Sequence, residues 1–190
     1  ADLRAFFALL PMLLSFFVPA LTMRLFSEES KSGSMETLMT LPVNEVHVVT
    51  GKYLASFLST LIMISPSIFY VITTAIFGDP DVGPIIGGYI GTIFLCAGFT
   101  AVGVFASSVT KNQIIAFFTG FIICIALTMI DTFLVFLPSN IVEFVSYISA
   151  DMHFRSITQG IIDSRDLVYF ITVFALFFTA TIKVQQNAKK

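Results

Sequence analysis

The sequence predicts an all-α fold, a polytopic bundle of membrane-spanning helices. Hydrophobic residues make up 56% of the chain and charged residues only 12%, with a mean hydropathy of +0.93. A soluble domain of this size would need far more polar surface to stay in solution. The apolar residues are gathered into runs of about 20, the length that crosses a ~30 Å hydrocarbon core as a helix.

Five such runs occur. They span about residues 6–23, 48–77, 85–107, 114–137 and 167–182. The second exceeds a bilayer's needs and is interrupted by Pro66, and the fifth is near the short limit. Pro11, Pro19 and Pro66 are expected to kink their helices, which membrane spans tolerate. The whole chain, 1–190, reads as one transmembrane domain. Two polar stretches interrupt it, at 24–47 and 138–166.

Orientation follows from basic residues. With the 24–47 stretch in the cytoplasm, alternation puts Arg24, Lys31, Lys52, Lys111, Lys183, Lys189 and Lys190 inside, seven of the ten basic residues. Arg4, Arg155 and Arg165 fall outside, as does the acidic turn GDPDVGP. Five spans then leave the N-terminus outside. The chain begins at Ala1 with no basic n-region of a signal peptide, so a sixth, upstream helix is expected. The formal net charge of −2, with no long basic run, argues against a nucleic-acid partner.

The 24–47 stretch carries its own amphipathic pattern. Ser34 is placed to cap a helix, and Glu36 suits the positive end of that helix. Met35, Leu38 and Met39 share one face, and Pro42 stops the helix. Asn44 is placed to cap the next helix, with Glu45 in its first turn. A helix resting on lipid usually carries Lys and Arg on its polar face. This region carries Glu28, Glu29, Glu36 and Glu45 against Lys31, which favours a basic protein groove over anionic lipid.

Other features are weighed beside plainer readings. Gly83, Gly87 and Gly91 are spaced four apart, and Gly98 continues the stripe, so two helices can approach closely there. Packing within the subunit outranks a subunit contact. Asp131 is the one acidic residue inside a span, an expensive placement that raises a functional question. It lies near the outer end, where reach to interfacial water outranks a pathway role; Thr128 and Thr132 are neighbouring hydrogen-bond partners. Cys96 and Cys124 read as buried free thiols. His47 and His153 read as isolated, without metal-ligand spacing. Residues 138–166 read as short helices at the outer surface, with Arg155, Asp163, Arg165 and Asp166 a wet mixed-charge cluster.

The residues PALTMRLFSEESKSGSMETLMTLPVNEVHVVTGKYLAS (Pro19–Ser56) closely resemble the ABC type-2 permease family. The family pattern E-E-x-x-x-G-[ST]-x-E-x-L-x-[ST]-x-P-[VI], followed by G-K-[FY], falls on Glu28, Glu29, Gly33, Ser34, Glu36, Leu38, Pro42, Gly51, Lys52 and Tyr53. ADLRAFFALLP at the start and DMHFRSITQGIIDSRDLVYF at 151–170 are similar to its gliding-motility-associated branch, whose relatives include nitrous-oxide-reductase maturation permeases. The resemblance implies six spans and a multi-pass protein of the bacterial inner membrane. It also implies a dimer with a second permease copy or a related one, and an ABC ATPase partner. A coupling helix at Ser34–Leu41 is then implied to dock on that ATPase, with Glu28, Glu29, Gly33, Ser34, Met35, Glu36, Leu38, Met39, Leu41 and Pro42 at the interface.

No ATP site is expected in this chain. The sequence lacks G-x-x-x-x-G-K-[ST]; Gly51-Lys52 is followed by Tyr53. It is expected to be no enzyme, with no cofactor or metal, surrounded by membrane lipid and facing an extracytoplasmic partner or cargo. An intramembrane protease would need an E-E-x-x-x-R pattern, but Gly33 stands where Arg belongs. An ATP-independent carrier or scaffold is the remaining alternative. The scarcity of charge within the spans weighs against an ion-coupled carrier.

Overall fold

The computed structural model describes residues 3–34, 44–78, 81–132, 146–160 and 163–188. Among these residues all regular structure is helical: α1 (Arg4–Thr22), α2 (Ser27–Ser32), α3 (Glu45–Ile64), α4 (Ser67–Phe77), α5 (Val82–Val109), α6 (Gln113–Met129), α7 (Ala150–Thr158) and α8 (Ser164–Ala188). Five stretches are long and apolar enough to cross a membrane: Arg4–Ser32, Glu45–Phe77, Val82–Val109, Gln113–Thr132 and Ser164–Asn187. The chain is a multi-pass membrane protein. The fifth stretch, expected near the short limit, is longer because the polar residues flanking its apolar run remain helical.

Caps fix where several helices begin. Asn44 accepts a hydrogen bond from the Val46 amide at 3.0 Å, and Asn112 accepts one from Ile114 at 2.9 Å. Ser149 accepts from the Met152 amide at 3.3 Å. Each satisfies a backbone donor that has no partner inside the helix. Gly33 ends α2 with φ 78°, the left-handed conformation that a Cβ disfavours. The α1 helix continues through Pro11 and Pro19. At Pro66 the second span divides into α3 and α4.

The axis of the bundle is α5, the most deeply buried span. One stripe of α1 (Phe7, Leu10, Leu14 and Val18) faces the core, while Leu9, Met12, Leu13 and Phe16 point outward. That two-sided division is what helical periodicity gives a span with protein on one side and lipid on the other. The helices α1 and α5 run parallel: the Phe7 ring lies over Gly88, and the Thr22 hydroxyl lies against Gly103. Antiparallel α6 packs on α1 through Gly120 against Pro19 and through Phe117 and Phe121 against Phe16. The last span, α8, runs parallel to α5, with Val173 and Phe170 beside Gly98 and Phe177 beside Phe105.

Close approach decides which glycines matter to packing. A Cβ on Gly87 would sit 2.3 Å from the Ile157 carbonyl oxygen in α7, and one on Gly91 would meet the Phe154 ring at 3.2 Å. Gly98 leaves ordinary space, 3.5 Å to Val173, and Gly83 meets only Asp81, its own helix cap, at 3.7 Å. Gly88 and Gly103, absent from the small-residue stripe read from sequence, are tighter: their Cβ atoms would sit 2.5 Å from Phe7 and 2.1 Å from the Thr22 hydroxyl. Gly103 and Ser107 are also four apart, so the same spacing rule carried the signal.

Candidate functional site

Two polar clusters stand at opposite ends of the bundle. The first gathers the C-terminal ends of α1 and α5, the whole of α2 and the start of α3. After α1 the chain turns at residues 23–26 and enters α2. The Ser107 hydroxyl of α5 accepts from the amides of Phe26 at 3.0 Å and Ser27 at 3.2 Å, and it donates to the Met23 carbonyl at 2.9 Å. Ser107 is fully buried, as is Phe26. One hydroxyl therefore satisfies three backbone groups that a helix break would leave unpaired inside apolar surroundings.

Lys52, in the second turn of α3, reaches the same junction. Its ammonium pairs with Glu29 Oε2 at 2.6 Å, donates to the Leu25 carbonyl, and sits 4.6 Å from the centroid of the Phe26 ring. An ammonium over an aromatic face and against a carboxylate is held by three attractions at once. Of the residues implied at an ATPase interface, Glu29 is thus tied inward, while Glu28, Gly33 and Ser34 are exposed. Ser34 Oγ lies 2.9 Å from Ser32 Oγ and donates to the Glu29 carbonyl at 3.4 Å. Met35, Glu36, Leu38, Met39, Leu41 and Pro42 lie outside the described residues.

The second cluster surrounds α7. His153 was expected to be isolated, and Asp166 to belong to a wet surface cluster; both expectations are corrected. His153 Nδ1 stands 2.7 Å from Asp166 Oδ1, and its Nε2 stands 3.1 Å from the Tyr147 carbonyl. Both side chains are buried, and the Tyr169 ring stacks on the imidazole with centroids 4.3 Å apart. Tyr169 donates its hydroxyl to the Ile148 carbonyl at 2.7 Å. The sequence hides this arrangement because the two partners sit 13 residues apart on different helices, at no recognisable spacing.

Asp131 closes the other side of α7. Its Oδ1 accepts from the Thr132 amide at 2.9 Å, while the Thr128 hydroxyl, expected as a partner, donates to the Cys124 carbonyl instead. Asp151, in α7, is buried and pairs with Arg155 Nε at 2.6 Å. Burial pushes the Asp151 carboxyl above the usual carboxylate range, the Arg155 guanidinium pulls it down, and Asp131 adds to the rise. Cys96 and Cys124 are both buried in the bundle. Among the described residues no group of three His, Cys, Asp or Glu side chains is placed to hold a metal ion.

The first cluster is a buried, hydrogen-bonded junction. It ties the segment leading out of α1 to the bundle's central helix and to the start of the next span. Residues 3–183 match the family described as ABC-2 family transporter protein. No curated protein and no solved structure matches the chain.

Proposed function

The chain belongs to the ABC-2 transporter family, and from that premise we propose that it is the permease subunit of an ATP-driven transporter in a bacterial cytoplasmic membrane. A separate ATPase subunit supplies the energy. Two permease subunits form the pathway, and ATP-driven closure of the ATPases moves the segment between α2 and α3. That movement exports cargo or does mechanical work on a partner outside the membrane. Within the family, the chain's pattern resembles that of the gliding-motility-associated and nitrous-oxide-maturation branch.

The observation that carries this reading is the joint at Ser107 and Lys52. A segment that docks on a moving partner transmits force only if its root is fixed to the spans. Here the root is bonded to α5 through Ser107 and to α3 through Lys52 and Glu29. The excess of basic residues at this end supports a cytoplasmic location. Met35, Leu38 and Met39 are then the apolar face offered to the ATPase groove, with Glu28 and Glu36 at its rim.

The test is co-purification of the chain with ABC ATPase subunits from its own genome. Leu38→Asp and Met39→Asp should each abolish binding while leaving the permease folded. An ATPase that never binds the native chain, or one that binds both variants as well as the native chain, overturns the proposal.

A further inference from the structure

The helix α4 stands apart from the rest of the bundle. None of its eleven residues is buried, and Phe69, Ile72, Ile76 and Phe77 point outward. In water such a helix would be driven onto the core. In a bilayer the lipid tails are as apolar as its own side chains, so specific contacts decide where it lies.

Those contacts gather at its start. Ser67 Oγ lies 2.9 Å from Tyr89 Oη of α5. The Tyr70 ring lies 5.7 Å from the Phe6 ring of α1, Phe6 meets Phe7 edge-on, and Phe7 meets Tyr89 edge-on at 5.5 Å. Three helices are thus closed into one clasp, at the end of the bundle opposite the Ser107 joint. Val71 packs on the core beside it. Further along α4, the Thr73 and Thr74 hydroxyls donate to the Tyr70 carbonyl of their own helix, at 2.9 and 2.7 Å. Those two hydroxyls need no partner elsewhere in the bundle.

Just before the clasp the span has a ready hinge. Pro66 has no amide to offer the Ile62 carbonyl. Ser65 replaces it twice, through its amide at 3.2 Å and its hydroxyl at 2.8 Å. Both bonds lie on the α3 side of the break, so the Ile62 carbonyl stays paired when α4 turns. On the α4 side, the Ile68 and Phe69 amides reach back three residues, to the Ser65 and Pro66 carbonyls, each at 3.1 Å. Pairing that survives a bend is the condition for moving backbone inside hydrocarbon.

We propose that α4 is a hinged flap, which bends at Pro66, is latched to α1 and α5 by the clasp at its start, and opens a lateral seam between α1 and the second span. A cavity of about 230 Å³ lies behind that seam. It is bounded by Leu10 and Leu14 of α1 and by Met63 and Ile64 of α3, and Phe6 and Ser67 of the clasp line it too. The clasp therefore closes the same cavity that the hinge opens. At 1.5 Å per residue the eleven residues of α4 are about 16 Å long, so a further bend of about 20° carries the far end about 5–6 Å. Residues 78–81 join α4 to α5 and allow this travel, since Phe77 and Val82 can stand at most about 17 Å apart. The motion belongs to this chain and goes beyond the permease reading, whatever subunit supplies the energy.

The experiment is double electron–electron resonance on the full chain in lipid nanodiscs. Spin labels go on Leu9→Cys in α1 and Ile76→Cys near the far end of α4, both outward-facing positions. Cys96 and Cys124 are buried and do not take label. A second pair, Leu9→Cys with Ile122→Cys in α6, is the reference for two spans that stay packed. The first pair should show a main distance and a second component about 5–6 Å longer. Ser67→Ala and Tyr89→Phe each remove the hydrogen bond of the clasp and should raise the ratio of open to closed about threefold, what an ordinary net hydrogen bond is worth. Pro66→Ala restores the missing amide and should abolish the longer component. The reference pair should keep one distance throughout. A longer component that grows in neither clasp variant, or one that survives Pro66→Ala, overturns the proposal. If Tyr89→Phe does not fold, Ser67→Ala alone decides, and an unchanged ratio overturns it.

Discussion

Replacing Gly87 by Ala puts one methyl group where the seat of α7 leaves no room. The added Cβ would lie 2.3 Å from the Ile157 carbonyl oxygen and 3.4 Å from the Gly160 Cα. A carbon and a carbonyl oxygen ordinarily approach to about 3.3 Å, so the two backbones must part by about 1 Å. Neither obstacle is the far end of a flexible side chain, so no rotamer change relieves the clash. Overpacking of this kind costs about 1–3 kcal/mol. The better helix propensity of Ala returns at most about 1 kcal/mol. About 0–2 kcal/mol then remains as a net loss, and at about 2–4 °C per kcal/mol for a chain of this size the midpoint should fall by up to about 8 °C. The chain has no Trp, but Cys96 and Cys124 are both inaccessible. A thiol-reactive fluorophore therefore reports unfolding directly. Gly98→Ala is the matched control, because its Cβ finds 3.5 Å of space beside Val173. If Gly87→Ala melts at or above the temperature of Gly98→Ala, the account of how α7 sits on α5 is wrong.

Two further outcomes test the opposite end. Ser107→Ala strips the Phe26 and Ser27 amides and the Met23 carbonyl of a buried partner and should cost about 1–3 kcal/mol in the same thermal assay. Ser108→Ala, which loses only a bond to the Phe105 carbonyl on its own helix, should be close to neutral; equal losses would mean that Ser107 is not a joint. Lys52→Met removes the ammonium from Glu29, Leu25 and Phe26 together, so α2 should open more often and tryptic cleavage after the exposed Lys31 should quicken about threefold. Unchanged cleavage would show that α2 is held by something else.

The spans and the Asn44 cap were legible because each depends on a local rule. An apolar run of sufficient length has few alternatives to a membrane helix, and Asn44 caps the helix that follows it by bonding its own neighbour. The break at Pro66 follows from its missing amide in the same way. The joint at Ser107 was not legible: a serine inside a hydrophobic run usually bonds back to its own helix, and its three partners lie about 80 residues away. The pairing of His153 with Asp166 was missed because charged residues in a loop-like stretch are ordinarily solvated, and only the fold of α7 onto α8 takes water away. Asp131 stood out for the cost of a carboxyl inside a span; of the two threonines beside it in sequence, Thr132 bonds it, through its amide, and Thr128 does not.

Phe7 of α1 lies against Gly88, and Thr22 lies against Gly103, so fifteen residues separate the two contacts on either helix. Parallel helices rise equally per residue, and these two therefore keep step along their whole shared length. Deleting one residue from either helix between the contacts shifts one end by about 1.5 Å and turns it by about 100° relative to the other. Gly103 would rotate away from Thr22, and a side chain would take its place. Single insertions or deletions in α1 or α5 are thus forbidden, while a matched pair, one in each helix at the same height, restores both ends. Across relatives, the lengths of these two segments should change together or not at all.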